Sequence, residues 1–243
     1  MKIYALSDIH GEYELLLENM KSIDLSNKEN QVVFCGDYID SGHKSCQTLL
    51  FIKELQEKYP EQVIVLKGNH ELLFFEWLEK EDSKEWFGGD RSRISIRSFL
   101  TPEQMKKIEH LLEWNYFVSA SKVAKKYVNK NYPDLLEWGK SLPYFYETEQ
   151  QIFVHGGINE DAKLNWKTET SPEEMCWKYP WTTGKFYKDI IAGHTATARI
   201  SGQESYHEVY FDGESHYYID GDVRKSGKIP LLVYDVEKKS YTW

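Results

Sequence analysis

The sequence is short of cysteine and has no cysteines at metal-binding spacing. It holds three, Cys35, Cys46 and Cys176, and none of them belongs to a CxxC motif. Neither a disulfide framework nor a zinc knuckle is indicated, because both need several cysteines at regular spacing. We therefore expect a protein of a reducing compartment, of which the cytoplasm is the simplest.

Long apolar runs are also absent. No stretch approaches the roughly 18 consecutive apolar residues that a membrane-spanning helix needs. A strand pattern begins at Lys2, which leaves no room for a signal peptide. We therefore expect no membrane partner and a cytoplasmic location.

Positive charge is scarce relative to negative charge. The chain has 30 Lys and Arg against 39 Asp and Glu, a formal net charge of −9. General affinity for nucleic acid is not expected, because binding a phosphate backbone needs clustered Lys and Arg. Basic residues do cluster at Lys122, Lys125, Lys126 and Lys130, but their helical spacing is typical of a solvated face.

The order of secondary-structure patterns predicts an α/β (α+β) domain. Residues 2–66 read as three buried strands separated by two amphipathic helices, an order that predicts parallel strands with right-handed crossovers. Residues of about 72–142 carry mainly helical patterns without a Pro/Gly/Ser-rich boundary. We interpret them as a helical insertion within a single domain, 1–243. Short alternating strands follow and predict a second sheet packed on the first.

Five predicted strands are each followed by Asp, Asn or His. In chain order the residues after the strands are Asp8 with His10, Asp37, Asn69, His155 and His194. Open α/β sheets hold their ligands at the carboxyl edge of the strands, where such side chains meet. A lone Asp or His is usually a loop residue or a helix cap, and Asp8 is open to that interpretation. The recurrence at five strand ends favours one metal site.

The donor set of this predicted site indicates the class of metal. Carboxylate, amide and imidazole donors without thiolate suit Mn²⁺, Fe or Zn²⁺, whereas carboxylates alone would favour Mg²⁺ or Ca²⁺. Six such residues exceed the needs of one tetrahedral zinc, which argues for two metal ions. We expect two divalent ions, with Mn²⁺ favoured and Fe, Zn²⁺ or Ni²⁺ as alternatives.

Five short motifs surround these residues. They read Asp8-Ile9-His10-Gly11, Gly36-Asp37-Tyr38-Ile39-Asp40, Gly68-Asn69-His70-Glu71, His155-Gly156-Gly157 and Gly193-His194-Thr195. In order and approximate spacing they resemble the motifs of the calcineurin-like metallophosphoesterases. The resemblance is closer to the phosphoprotein phosphatase branch of bacterial and phage type, which also contains symmetrical diadenosine tetraphosphate hydrolases. It covers most of the chain and implies a four-layer sandwich of two mixed β-sheets flanked by helices.

The resemblance implies a binuclear metal-dependent phosphatase and a role for each matching residue. For one metal ion the implied ligands are Asp8, His10 and Asp37, and for the second they are Asp37, Asn69, His155 and His194. A hydroxide bridging the two ions would attack phosphorus directly. His70 would protonate the leaving oxygen, with Asp40 orienting it. Glu71 reads as the structural start of the following helix.

Two positions depart from the family's pattern, and both concern the substrate phosphate. The family usually has arginine where this chain has Ser41, and a second arginine after a tryptophan where this chain has Lys178. Bidentate arginine clamps are therefore missing at both positions. Candidate substitutes are Ser41, Lys178, Arg91 and Arg93, and surface charge is the alternative interpretation for the three basic residues.

Three functions fit these residues. The leading one is hydrolysis of phosphomonoesters, above all of phosphoprotein Ser/Thr or Tyr. The second is symmetrical dinucleoside tetraphosphate hydrolysis, and the third is a metal-binding phosphoester-recognition module with impaired catalysis. Core packing is the favoured interpretation of five aromatic residues that could otherwise form a rim for an aryl or nucleotide group: Trp86, Phe87, Trp177, Tyr179 and Trp181. We expect a phosphorylated protein or small phosphoester as partner, and a monomer or weak homo-oligomer.

Overall fold

Two five-stranded sheets form the frame of the molecule. The structure, a computed structural model, describes residues 1–80 and 86–243. The strands of the first sheet are β1 (Lys2–Leu6), β2 (Gln31–Phe34), β3 (Val63–Val65), β9 (Leu232–Asp235) and β10 (Ser240–Thr242). Those of the second are β4 (Phe145–Glu147), β5 (Gln151–Val154), β6 (Asp189–Ala192), β7 (Tyr210–Phe211) and β8 (His216–Tyr218).

Both sheets are mixed. In the first, β1, β2 and β3 are parallel neighbours, and β9 pairs antiparallel with β1 and with β10. In the second, β5, β6 and β8 are parallel, while β4 and β7 pair antiparallel at the edges. Two mixed sheets are thus confirmed. The expectation that all the C-terminal strands join the second sheet is wrong, since β9 and β10 extend the first and satisfy the backbone groups along the free side of β1.

Helices cover the outer face of each sheet and complete four layers. Before β4 the chain forms α1 (Tyr13–Met20), α2 (Ser45–Lys58), α3 (Asn69–Glu79), α4 (Asp90–Phe99), α5 (Pro102–Glu113), α6 (Phe117–Asn131) and α7 (Leu135–Ser141). After β5 it forms a 3-10 segment (Glu160–Asn165), α8 (Trp166–Glu169), α9 (Pro172–Trp177), α10 (Thr197–Ser201) and α11 (Val223–Ser226). In the part of the chain that the structure describes, no helix is both long and apolar enough to cross a bilayer.

The alternation of side chains along β1 explains the layers. Ile3 and Ala5 belong to the cluster between the two sheets, which also holds Phe153. Tyr4 and Leu6 belong to the cluster under the helices. Because successive side chains of a strand point to opposite faces, a strand covered on both faces is apolar throughout. The carboxyl ends of these buried strands are the part of the frame that positions the site.

The helices α3 to α7 occupy the region predicted as an insertion around 72–142, of which 81–85 lie outside the described residues. A capping box starts α5, where Thr101 Oγ1 accepts from the backbone N–H of Gln104 and the Gln104 side chain accepts from that of Thr101. Trp77 on α3 donates its indole N–H to Ser121 on α6 at 2.8 Å. The hydrogen bond from Trp77 to Ser121 ties α6 to α3, and α3 begins within the third motif.

A buried histidine joins the second sheet to the 3-10 segment. His216 on β8 is 1% exposed, and its Nδ1 and Nε2 lie 2.9 Å from Asp212 Oδ2 and 3.1 Å from Glu160 Oε2. Burial opposes protonation of this ring, but the hydrogen bond and charge of Glu160, with the charge of Asp212, outweigh it and raise the pKa of His216. Both ring nitrogens can then donate to carboxylates, as only the protonated ring allows.

We expect His216→Gln to destabilise the protein near pH 6 by about 1.5–3 kcal/mol, the range for hydrogen bonds to charged groups. Because the folded-state pKa is raised, this stabilisation is complete below the unfolded pKa of about 6.5 and is lost as pH rises through the folded-state pKa. The difference in urea midpoint between wild type and variant should therefore shrink towards pH 9. His110→Gln, at a 71% exposed side chain, is the control. A difference that stays constant with pH would contradict the ion-pair account.

Candidate metal centre

The loops after β1 and β2 continue the pairing of these strands beyond the sheet. The backbone N–H of Asp8 donates to the Gly36 carbonyl and that of His10 to the Asp37 carbonyl, both at 3.0 Å. The chain has left strand geometry here, since the φ angles of Asp8, His10 and Asp37 are 54°, 48° and 57°. The hydrogen bonds thus hold two irregular loops side by side and present their side chains at one edge of the sheet.

Unfavourable backbone conformations are concentrated in these loops. Among the described residues, six of the ten non-glycine residues with positive φ follow β1, β2 or β6: Asp8, His10, Asp37, Asp40, Ser41 and His194. This conformation costs an ordinary residue on the order of 1–2 kcal/mol. Such strain persists where the surrounding structure enforces it, which is typical of functional sites.

Glu71, fully buried on α3, fastens the third loop to the second. Its Oε2 accepts from the backbone N–H of Asp37 at 2.7 Å and of Gly68 at 3.2 Å. Its Oε1 accepts from Tyr38 at 2.8 Å and Ile39 at 3.2 Å. Burial and the charge of Asp37 raise the pKa of Glu71 to about 7, while the backbone N–H donors favour its ionised form, which has lone pairs for all four bonds. Glu71 therefore does more than start a helix, because it fixes the backbone that carries Asp37.

Two glycines allow backbone to touch carboxylates. A Cβ at Gly68 would lie 2.3 Å from Asp37 Oδ1, and one at Gly193 would lie 2.2 Å from Asp8 Oδ2. No side chain fits at either distance, so glycine is required at both positions by close approach. These two motif glycines are explained by the carboxylates that they face.

The side chains predicted as metal ligands converge on Asp37. Nε2 of His10 lies 3.8 Å from Asp37 Oδ2 and 4.0 Å from Asp8 Oδ1. On the other side, Nε2 of His155 lies 3.3 Å from Asp37 Oδ1. Asn69 completes this side, since its Oδ1 lies 2.8 Å from His155 Nε2 and 3.0 Å from the Nδ1 of His194. All six predicted residues are thus brought together, with Asp37 between the two halves.

Ligand atoms close enough to hold a metal ion form two groups that share Asp37. One contains His10, Asp37 and His70, and the other contains Asp37, His155 and His194, with the atoms of each group within 4.8 Å of one another. The first group includes His70, which the sequence prediction assigned to proton transfer rather than to a metal. Asp8 borders this group through His10.

The second nitrogen of two histidines shows how the donor set fits a divalent ion. His10 Nδ1 lies 2.9 Å from the Ile39 carbonyl, and His155 Nδ1 lies 2.8 Å from the Cys35 carbonyl. A carbonyl only accepts, so Nδ1 carries hydrogen and Nε2 is left to face Asp37, as in metal-binding histidines. Despite burial, the charge of Asp37 raises the pKa of His155 to about 10, so a metal ion at Nε2 would displace a proton.

The imidazoles also set the protonation of their neighbours. Burial alone would raise the pKa of Asp37, but His155, His70 and His10 hold it well below its ordinary range. Burial and the charge of His155 lower the pKa of His194 to about 4. An ionised carboxylate and a neutral imidazole are the forms that bind metal ions. The described residues therefore fit a divalent cation at each group.

His70 forms a buried pair with Asp40. Its Nδ1 lies 2.6 Å from Asp40 Oδ2, and the same oxygen accepts from the indole N–H of Trp86 at 2.9 Å. Burial disfavours the protonated ring, but the charge of Asp37 and the bond to Asp40 raise the pKa of His70 to about 9. His70 is thus oriented by Asp40, and Asp40 is oriented by Trp86.

Two members of the candidate aromatic rim are core residues, as the favoured interpretation predicted. Trp86 and Phe87 are 4% and 2% exposed, and both pack in the core around Trp77. Trp181 is partly buried against the cluster outside the second sheet. Trp177 and Tyr179, in contrast, line the cavity above the metal ligands. The contact between Trp86 and Asp40 gives no sequence signal, because it depends on how the helical region folds over the sheet.

The cavity at the centre has a volume of about 850 Å³ and separates the predicted substrate residues. Arg91 lines it, whereas Ser41, Lys178 and Arg93 do not. The Lys178 ammonium instead donates to the Ile158 carbonyl at 2.5 Å, and Arg93 lies 3.6 Å from Asp90. This geometry does not favour Lys178 or Arg93 as substrate ligands. Ser41 is buried beside Asp40.

The cavity also contains residues that the sequence did not single out, above all Arg199. It lies on α10, shortly after His194. Proximity to a predicted ligand was the only signal that could have found it. Asp220, two residues after β8, lines the cavity too.

Comparison with known proteins places these motifs in context. A profile of the calcineurin-like phosphoesterase family matches residues 1–234. The serine/threonine-protein phosphatase PP2A-like PPG1 of Candida albicans is 41% identical over 69 residues. That match covers 28% of this chain and 16% of the length of that protein.

Solved structures share the fold at low identity. The cold-active protein-tyrosine phosphatase of a psychrophilic Shewanella species has a TM-score of 0.59 at 19% identity, over 99% of this chain and 79% of that chain. A putative diadenosine tetraphosphatase has a TM-score of 0.55 at 15% identity, over 99% of this chain and 91% of that chain. At these identities the likeness shows the fold alone.

We expect Glu71→Gln to lower the free energy of unfolding by about 3 kcal/mol, because an amide NH₂ would face backbone N–H donors that lose a charged acceptor. Urea denaturation measures this change. Glu76→Gln, on the same helix but at a 42% exposed side chain, is the matched control and should shift the midpoint little. Equal midpoints for the two variants would contradict the positioning role of Glu71.

Proposed function

Because the chain belongs to the calcineurin-like phosphoesterase family, we propose that it hydrolyses phosphomonoesters with two divalent metal ions, acting on phosphoprotein Ser/Thr or Tyr. The observation that carries the proposal is the Asp37 carboxylate, which is shared by two groups of ligand atoms. Sites with two metal ions a short distance apart are typical of phosphatases. His70 belongs to one of these groups, and its ordered pairing with Asp40 supports the role of proton donor that such a reaction needs.

Each metal ion would have its own set of ligands in this chain. Asp8, His10 and Asp37 would hold one, and the second would be held by Asp37, Asn69, His155 and His194. Bound ions would lower the pKa of water and neutralise charge on the phosphoryl group. The oxygen and nitrogen donors favour Mn²⁺, with Fe, Zn²⁺ and Ni²⁺ as alternatives.

His70 would donate a proton to the oxygen of the leaving group. Its Nδ1 is engaged by Asp40, so Nε2 is the nitrogen that faces the cavity, 3.8 Å from Asp37 Oδ2. A proton donor must lie within hydrogen-bond reach of the group that it protonates. The Asp40 carboxylate keeps the ring in the orientation that this transfer requires.

The named relatives support a phosphatase and leave one rival. A serine/threonine phosphatase shares sequence over 69 residues, and a protein-tyrosine phosphatase shares the fold. The rival is symmetrical hydrolysis of dinucleoside tetraphosphates, because a putative diadenosine tetraphosphatase also shares the fold. A metal-binding recognition module ranks last, since its impaired catalysis would leave the pairing of His70 with Asp40 without a use.

We expect the Mn²⁺-loaded protein to hydrolyse p-nitrophenyl phosphate and to bind about two metal ions per chain. Asp37→Asn should lower turnover by more than about 100-fold and reduce the metal content, because it removes the shared charge. Asp161→Asn, at an exposed position, is the control. Full turnover by Asp37→Asn, or no turnover by wild type with any of the four metals, would refute the proposal. Faster release of nucleotides from diadenosine tetraphosphate would favour the rival.

Trp86→Phe tests the pairing of His70 with Asp40. Without the indole N–H, Asp40 loses a donor that fixes it, so proton transfer to a poor leaving group should slow most. We expect kcat to fall about tenfold with phenyl phosphate, and far less with p-nitrophenyl phosphate, whose leaving group needs little protonation. Trp77→Phe is the matched control, because it removes the same volume from the adjacent ring, at 5.0 Å, without touching Asp40. Equal losses with both esters, or the same pattern in Trp77→Phe, would contradict this role.

A further inference from the structure

One wall of the cavity is built from two exposed aromatic rings and an arginine. We call Trp177, Tyr179 and Arg199 the aromatic wall. Trp177 is 43% exposed and Tyr179 is 56% exposed, although both rings line the cavity that holds the metal ligands. Aromatic side chains left open beside a reaction centre offer large contact area to a ligand. Neither ring has a role in the proposed hydrolysis.

The position of Trp177 is fixed by its surroundings. Its ring meets that of His194 edge-on, with centroids 5.9 Å apart and planes at 84°. Met175 and Cys176, just before it on α9, are buried, and the Met175 carbonyl accepts from the backbone N–H of Gly156 at 2.6 Å. Trp177 therefore stands beside a predicted metal ligand with part of its ring free.

Arg199 is held in place by Tyr179 rather than by an acidic side chain. Its guanidinium lies over the Tyr179 ring, 4.8 Å from the centroid, and Nη2 donates to the Tyr179 hydroxyl at 2.7 Å. Within 1–80 and 86–243 it forms no ion pair, unlike Lys225 in the same cavity, which pairs with Asp222 at 2.8 Å. A guanidinium has five N–H donors, and the single bond to Tyr179 leaves others for an anion.

We propose that the aromatic wall is a subsite for the leaving group of an aryl phosphate within an acidic peptide, that is, phosphotyrosine beside Asp or Glu. The ring of the substrate stacks on Trp177, and Arg199 binds a neighbouring carboxylate in the substrate. This assignment deepens the proposed function and rests on it. It also means that binding energy comes from contacts with the leaving group, near the guanidinium of Arg199, rather than from contacts with the phosphoryl group at the position of Ser41.

The charges of the cavity favour a peptide over a dinucleotide. Three carboxylates line it besides the metal ligands, those of Glu204, Asp220 and Asp222. Asp222 pairs with Lys225 at 2.8 Å and burial raises the pKa of Asp220 to about 8, so Glu204 is the main source of repulsion against a tetraphosphate, whose charge is spread over the whole length between its two nucleosides. The aryl ring of phosphotyrosine is neutral, and the charge of this side chain lies on its phosphoryl group alone. The guanidinium of Arg199 then needs only one carboxylate of the peptide.

Binding and turnover together test the subsite. Calorimetry with a non-hydrolysable phosphonate analogue of an acidic phosphotyrosine peptide requires no turnover, so it is separable from the proposed activity. We expect Trp177→Leu and Arg199→Met each to weaken binding about tenfold. The phosphoserine analogue should be unaffected by Trp177→Leu, and a peptide with neutral flanks should be unaffected by Arg199→Met. With hydrolysed peptides, the loss should appear in KM more than in kcat.

Two controls separate this inference from a general loss of structure. Tyr179→Phe keeps the ring and removes only the hydroxyl that holds Arg199, so it should weaken the acidic peptide less than Arg199→Met does. Trp114→Leu removes a 65% exposed ring that does not line the cavity, so peptide binding should be unchanged. Unchanged peptide binding in both Trp177→Leu and Arg199→Met would overturn the subsite even if hydrolysis is found. So would loss of diadenosine tetraphosphate binding alone in these variants, which would make the wall a nucleotide site.

Discussion

The buried charge of Asp37 is the feature on which the rest of the site depends. Its carboxylate is 2% exposed, and removing an ion from water costs several kcal/mol unless partners compensate. The partners here are imidazoles from separate loops, among them His10 and His155. To bring them to one carboxylate the chain adopts positive φ at several residues, and Glu71 with Gly68 holds the strained backbone in place. The gathered imidazoles, the strained backbone and the glycine at position 68 thus all follow from the buried charge of Asp37.

Two other buried acids near Asp37, Asp40 and Glu71, have different kinds of hydrogen-bond partner. Asp40 contacts His70 and Trp86 through one oxygen, whereas Glu71 gives both its oxygens to backbone N–H groups. A carboxylate committed to backbone serves as a fixed support, and one committed to an imidazole serves a group that exchanges protons. Trp86 comes from the helical region, so that region helps to position His70, the proposed proton donor, although residues 72–142 contain no predicted metal ligand.

Much of this could be predicted from the sequence, and the failures have a physical pattern. Asp8, Asp37 and Asn69 follow apolar strands whose parallel order is readable, and parallel strands deliver their ends to one edge. The pairing of β9 with β1 could not be predicted, because short alternating strands do not encode which edge they join. The contact of Trp86 with Asp40 and the place of Arg199 in the cavity could not be found either, since both depend on tertiary packing and neither residue belongs to a motif.

The substitution at Ser41 alters where specificity can arise rather than whether hydrolysis can occur. A guanidinium on the transferred phosphoryl group would bind every phosphomonoester alike, because that group is common to all of them. Ser41 is buried and does not line the cavity, so this uniform contribution is missing from its usual position. Arg199 does line the cavity, and it forms no ion pair with the described residues. Its guanidinium donates a hydrogen bond to the Tyr179 hydroxyl. Contacts with the leaving group differ from one ester to the next. An enzyme discriminates between substrates by the difference in binding free energy between them, not by the total binding free energy of each. A site that keeps its metal ligands but has no arginine at either of the usual clamp positions is therefore expected to be selective for the leaving group.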